Sequence, residues 1–296
     1  MLMDLFEDVG QICRARLTSA GYTVDAHADV HEVMLSYFTA LRRVIPAVPR
    51  TVHLATGFVC PPTLQAGFDL VRRKAQAGDP LRPHQSRLLA RTDYSDALLN
   101  DWDIHHFHLG TTIGADGWAT RTGPLLFARV TENDFYCIDI VPHGDWHRQA
   151  LVQVMHENWP ASIKYARVDG ALSLSHTSTD GDVKALRGSN INTLLQMPDG
   201  TIYIGPGGGI ATDGTSTTAV MAKNSWVHFT RELEQIVRKR LEADVGAAIC
   251  AILGVASPPT DQLEFHFRID STGSMVVVEK TTNVAINFGP SSLREL

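Results

Sequence analysis

Residues 103–141 contain three β-rich runs, DIHHFHLG (103–110), PLLFARV (124–130) and DFYCIDIV (134–141), with Gly-rich or polar turns between them. Strands this short and this closely spaced predict an antiparallel meander. Upstream, the periodicity is helical. Leu5, Val9, Ile12, Cys13 and Leu17 form one stripe over 3–20, and Val33, Met34, Phe38 and Leu41 form another over 29–45. TVHLATGFV (51–59) alternates as a strand. Pro61 and Pro62 then open a helix through Leu64, Phe68, Val71 and Ala75 that Gly78 stops. Helices near 83–91 and 95–100 lead into the meander, and a helix over 146–158 with Asp145 as its N-cap follows it.

Beyond Pro160 the composition shifts. Residues 163–225 are rich in Gly, Ser, Thr and Asp and predict short strands and loops. A long helix over 226–256, whose apolar end 245–256 reads as buried, and a hairpin of LEFHFRID and SMVVVEKT turned at Ser271-Thr272-Gly273 complete the chain. Helices and antiparallel strands are segregated, so the expected class is α+β: a helical N-terminal part, an antiparallel β-meander core and a mixed β/α C-terminal part. The expected division is 1–160, the helical region with the histidine-rich meander, and 161–296, the Gly-rich β region with the long helix and hairpin.

A chain of 296 residues with 44% hydrophobic content can bury a sizeable core. Its longest apolar run, VGAAICAILGVA (245–256), falls short of the roughly 20 residues of a membrane-spanning helix, so no membrane is expected. The acidic start MLMDLFEDVG lacks the features of a secretory signal, and Cys13, Cys60, Cys137 and Cys250 form no C-x-x-C pair, so a cytoplasmic location is expected. Net charge is −6, but from Arg42 to Thr92 nine basic residues face only Asp69 and Asp79. That segment reads either as a solvated helical face or as an anion or RNA footprint.

Six of the thirteen histidines lie between positions 105 and 156. Alternation along a strand places His105, Phe107 and Leu109 on one face, taken as the buried one, and His106 and His108 side by side on the other. His143 and His147 follow close by in VPHGDWHR. Three readings compete. The histidines are structural, bonded to backbone or to Asp101, Asp103 and Asp139. Or His106 and His108 offer two nitrogens to zinc or iron, with His143 or Asp139 completing the set. Or they perform metal-free acid/base chemistry on a phosphodiester, beside Arg121 or Arg129.

The order of helices followed by three meander strands (HHFHLG, LLFARV, FYCIDIVPHG), with an Arg at or before the middle strand and a polar residue closing the last, resembles the RelE-type ribonuclease toxins over residues 62–145. The resemblance implies a toxin-like or defence-type endoribonuclease acting on RNA without a cofactor. Arg121 would bind phosphate, His106, His108 or His143 would act as acid and base, and the basic segment 42–92 would hold the RNA backbone. An antitoxin-like protein partner and homo-oligomerisation are further expectations. The alternatives are a His-ligated metal-dependent hydrolase and a regulatory or scaffold protein whose interface is the long helix and hairpin. GPGGGIATDGTST (205–217) is a second constellation. Either Gly207, Gly208 and Gly209 with Thr215 and Ser216 cradle a nucleotide or RNA phosphate, with Asp213 the nearest metal ligand, or the segment is a tight turn.

Overall fold

A computed structural model describes residues 1–294, and its mixture of helices with two four-stranded sheets makes the protein α+β. In chain order the elements are β1 (Leu2–Met3), α1 (Leu5–Ser19), α2 (Val30–Arg43), β2 (Thr51–Leu54), α3 (Gln65–Ala77), α4 (Ala97–Trp102), β3 (His105–Phe107), β4 (Pro124–Val130) and β5 (Asp134–Pro142). There follow α5 (Ala150–Asn158), α6 (Asp180–Gly188), β6 (Leu195–Gln196), β7 (Ile202–Tyr203), α7 (Thr217–Leu241), α8 (Asp244–Leu253), β8 (Glu264–Ile269), β9 (Ser274–Glu279) and β10 (Ala285–Pro290). No helix among the described residues is long and apolar enough to cross a membrane.

The chain forms two compact units, Arg42–Val220 and a second that joins Met1–Leu41 to the chain from Met221 onward. The division therefore does not fall at residue 160, because the C-terminal strands pair with the N-terminus. In this second unit β1 adds in parallel to β8, and the sheet runs β1-β8-β9-β10. The buried stripe Leu5, Val9, Cys13 and Leu17 of α1 lies over that sheet's Phe265 and Phe267.

In the Arg42–Val220 unit the meander forms as expected, in the order β2-β5-β4-β3 with β2 joined in parallel to β5. The run LLFA (125–128) is continuously apolar because β4 is covered on both faces. One face packs Leu126, Ala128, Phe135 and Cys137 against Phe68, Val71 and Ala75 of α3. The other packs Leu125, Phe127, Ile138 and Val141 against Leu151, Val152 and Met155 of α5. A register shift after Phe127 places Ile138 as an extra residue in β5, so Cys137 and Ile140, three positions apart, both face the α3 core while Ile138 and Val141 face the α5 core.

Several local expectations change. The strand expected over 103–110 is confined to His105–Phe107, because from His108 the backbone bonds instead to His84. Residues 83–91 form two 3₁₀ turns rather than a helix. Asp145 caps nothing, since α5 begins at Ala150 after a loop, and the helix expected over 226–256 is two, α7 beginning nine residues before Trp226 and ending at Leu241, and α8 beginning at Asp244. The Gly/Ser/Thr-rich stretch contains the helix α6, begun by a capping box in which Thr179 Oγ1 accepts the Asp182 N–H at 3.2 Å and the Asp182 carboxylate accepts the Thr179 N–H at 2.8 Å.

Gly67 allows α3 to approach the sheet, since a Cβ there would lie 1.7 Å from the Leu109 carbonyl oxygen. Backbone cannot yield as a flexible side-chain end can, so Gly67→Ala should destabilise this unit by about 1–3 kcal/mol, read from denaturant unfolding.

A candidate active-site cavity on the meander

The site begins with α4 and β3. Asp96 caps α4 by accepting the Leu99 N–H at 3.1 Å, and Asp103, in the left-handed conformation with φ of 59°, ends the helix after six residues. This turn delivers His106 onto β3 opposite Phe127. The His106 side chain is only 10% exposed, and its Nδ1 faces the second Asp96 oxygen at 3.8 Å with no hydrogen-bond partner. Burial pushes the His106 imidazole below its usual pKa, and Asp96 partly opposes that shift. The ring is therefore neutral at neutral pH. A carboxylate behind Nδ1 favours the tautomer that leaves Nε2 as a base.

His106 lines a cavity of about 530 Å³ together with His143, Arg121, Trp146, His147 and Lys184. Both imidazoles pack on Trp146, with ring centroids 4.8 Å (His106) and 4.9 Å (His143) away. Trp146, inside the helix expected over 146–158, lies instead in the β5–α5 loop, where Phe127 also packs against it. Arg87 and Arg187 line the cavity too, but each is neutralised, by Asp116 at 2.9 Å and by Asp101 at 2.7 Å. Arg121 and Lys184 are exposed and have no ion-pair partner among the described residues. The cavity thus offers two free cations and two adjacent imidazoles, which suits an anionic ligand.

The grouping expected on strand alternation changes at His108. Its side chain is buried and does not line the cavity. His108 Nδ1 accepts the Thr122 N–H at 3.2 Å, its own N–H donates to His84 O, and burial pushes its pKa down to about 4. His105 is buried on the Phe107 side, as alternation requires, with its pKa pushed to about 3 by desolvation. His106, His108 and His143 do not converge as a ligand set, and no group of three or more His, Cys, Asp or Glu among the described residues is placed to hold a metal ion. Asp139 and Asp213 lie outside the cavity lining.

The glycine-rich loop has another use. The Gly207 N–H donates to Asp101 O at 2.8 Å, that of Gly209 to Asn100 O at 2.9 Å and that of Gly208 to Gly205 O at 2.9 Å. The Gly207 and Gly209 amides cap the C-terminus of α4, the Gly208 amide closes a turn within the loop, and none of the three is available to an anion. A Cβ on Gly207 would meet the Leu99 and Asn100 carbonyls at 2.4 Å, so close packing accounts for that glycine. Thr215 bonds Asp213, and Ser216 is fully buried at the start of α7.

The basic segment is not one exposed face either. Arg43 and Arg50 are buried and donate to backbone carbonyls, and Arg72 and Arg91 pair with Asp69 and Asp93. Arg129 is buried between Asp103 and Tyr165. Sequence reading missed Lys184 and Asp96. The Thr179-x-x-Asp182 capping box was the available signal for α6, and Ser95-Asp96 ahead of the apolar run ALL was the signal for the α4 cap.

One buried interaction joins these parts. Arg187 Nε and Nη2 both donate to Asp101 Oδ2, at 3.0 and 2.7 Å, while its Nη1 bonds the Trp146 carbonyl and its guanidinium lies 4.1 Å over the Trp102 ring. Comparison with protein-family models finds no match, and the same holds for comparison with curated proteins and with solved structures.

Arg187→Ala leaves Asp101 buried and uncompensated. It should cost about 3–5 kcal/mol in chemical denaturation, against a far smaller loss for the double change Asp101→Leu/Arg187→Met. The neutral His105 and His108 bind no proton in the fold until pH approaches 3 to 4, whereas in the unfolded chain they protonate near the ordinary histidine pKa. The stability these two rings contribute is therefore full above pH 6.5 and falls as pH drops toward 4, and His108→Gln should reduce that slope in pH-dependent melting.

Proposed function

We propose that the chain is a metal-independent endoribonuclease, with its chemistry in the meander cavity. The observation that carries this reading is that His106 and His143 flank Trp146 in the one cavity that also presents the unneutralised Arg121 and Lys184.

In this reading His106 Nε2 removes the proton of an RNA 2′-hydroxyl, and the freed oxygen attacks the adjacent phosphorus. The bond from phosphorus to the 5′-oxygen breaks, and His143 gives a proton to that oxygen. The products are a 2′,3′-cyclic phosphate and a 5′-hydroxyl. Arg121 and Lys184 compensate the charge that grows on the phosphoryl oxygens. Asp96 orients His106 and stabilises its imidazolium form. The toxin-like or defence-type role is proposed together with the RelE-type resemblance, and a protein partner that restrains the activity belongs to the same proposal.

The test is cleavage of a mixed RNA pool in EDTA, with end-group analysis of the products. His106→Ala and His143→Ala should each lower kcat by about 10²- to 10⁴-fold, while both variants keep the wild-type circular dichroism spectrum. His106 must be neutral to act as the base, so the acid limb of the kcat/KM profile should lie below pH 6.5. Asp96 raises the His106 pKa, so Asp96→Asn should move that limb to still lower pH. Cleavage abolished by EDTA, or unaffected by both histidine changes, would sink the proposal.

A further inference from the structure

We infer that the cavity recognises a single nucleotide, its phosphate on Arg121 and Lys184 and its base against the wall formed by Tyr94, Leu98 and Trp146. This rests on the reading of the cavity as a phosphate site and adds to it the substrate unit.

Three observations lead here. A concave volume of about 530 Å³ is the size of a small-molecule pocket, large enough for one nucleotide and too small to enclose a length of strand. Its lining has two chemically distinct parts. One is cationic and unneutralised, from Arg121 and Lys184; the other is aromatic and aliphatic, from Tyr94, Leu98 and Trp146. A nucleotide divides in the same way, into an anion and a flat π-surface that stacks on aromatic side chains with little regard for base identity.

The third observation concerns the surroundings. A protein that follows a strand needs a continuous basic groove. The arginine-rich segment that could have supplied one instead spends Arg43 and Arg50 on buried backbone carbonyls and Arg72, Arg87 and Arg91 on carboxylates. Of that segment's exposed arginines only Arg73 and Arg82 have no carboxylate partner among the described residues, and neither lines the cavity, so no continuous basic groove leads to it and recognition is concentrated in the cavity itself. RNA would be engaged through one unpaired internal nucleotide turned out of its stack.

Isothermal titration of the full chain with the four nucleoside 3′-monophosphates, the matching nucleosides and inorganic phosphate tests this. Because the two halves are held by one site, each monophosphate should bind at least about ten-fold tighter than its nucleoside or phosphate alone. Arg121→Ala/Lys184→Ala, two exposed positions where a change should not disturb folding, should remove that advantage and leave nucleoside binding in place. Monophosphates that bind no tighter than inorganic phosphate, or not at all, would overturn the inference. Nucleotide binding without RNA cleavage would leave it standing and remove the endoribonuclease reading, whereas cleavage without mononucleotide binding would do the reverse.

Discussion

The buried ion pair between Arg187 and Asp101 is the interaction on which the cavity depends. Asp101 belongs to α4, Arg187 to α6, and the Arg187 guanidinium also bonds the backbone of the loop that carries His143 and Trp146. One side chain therefore ties together three segments that are distant in sequence. In a low-dielectric interior such a pair is tolerated only while both partners remain, so the segments cannot drift apart without exposing a bare charge to the core. Lys184 lies one helical turn before Arg187 on α6, so the anchor that fixes Arg187 also fixes the face from which Lys184 reaches the cavity.

Three histidines within four positions have three different fates, and the backbone decides among them. His105 points into the sheet core and is kept neutral by burial. His106 points to the cavity with a carboxylate behind it. His108 follows the end of the strand, where its ring accepts a backbone N–H and loses access to the cavity. An H-x-H spacing promises two adjacent nitrogens only while the strand continues. Here it stops at Phe107, and the second imidazole of the site comes from His143 instead.

The glycine-rich loop and the arginine-rich segment follow a similar logic. Both look like anion sites in composition, and both direct donors at the protein itself: the loop amides, Arg43 and Arg50 at backbone carbonyls, and Arg72, Arg87 and Arg91 at carboxylates. A helix as short as α4 exposes carbonyls at its C-terminus that need partners, and the loop supplies them while its glycines permit the close approach.

The sequence by itself determined the elements whose signals are local. The apolar stripes of α1, α2 and α3, the Gly78 stop, the meander and the β8–β9 hairpin all follow from periods of 3.6 or 2 and from turn residues, which act between neighbours along the chain. It also nominated His106, His143 and Arg121. Only the tertiary structure decided that these three share a cavity, that Lys184 and Asp96 join them, that His108, Arg129 and the glycine amides do not, and that the N-terminal strand pairs with the C-terminal sheet. The reason is physical. Periodicity states which face of an element is apolar, whereas a site requires side chains from separate elements to converge, and that depends on ion pairs, strand ends and close backbone contacts between residues far apart in sequence.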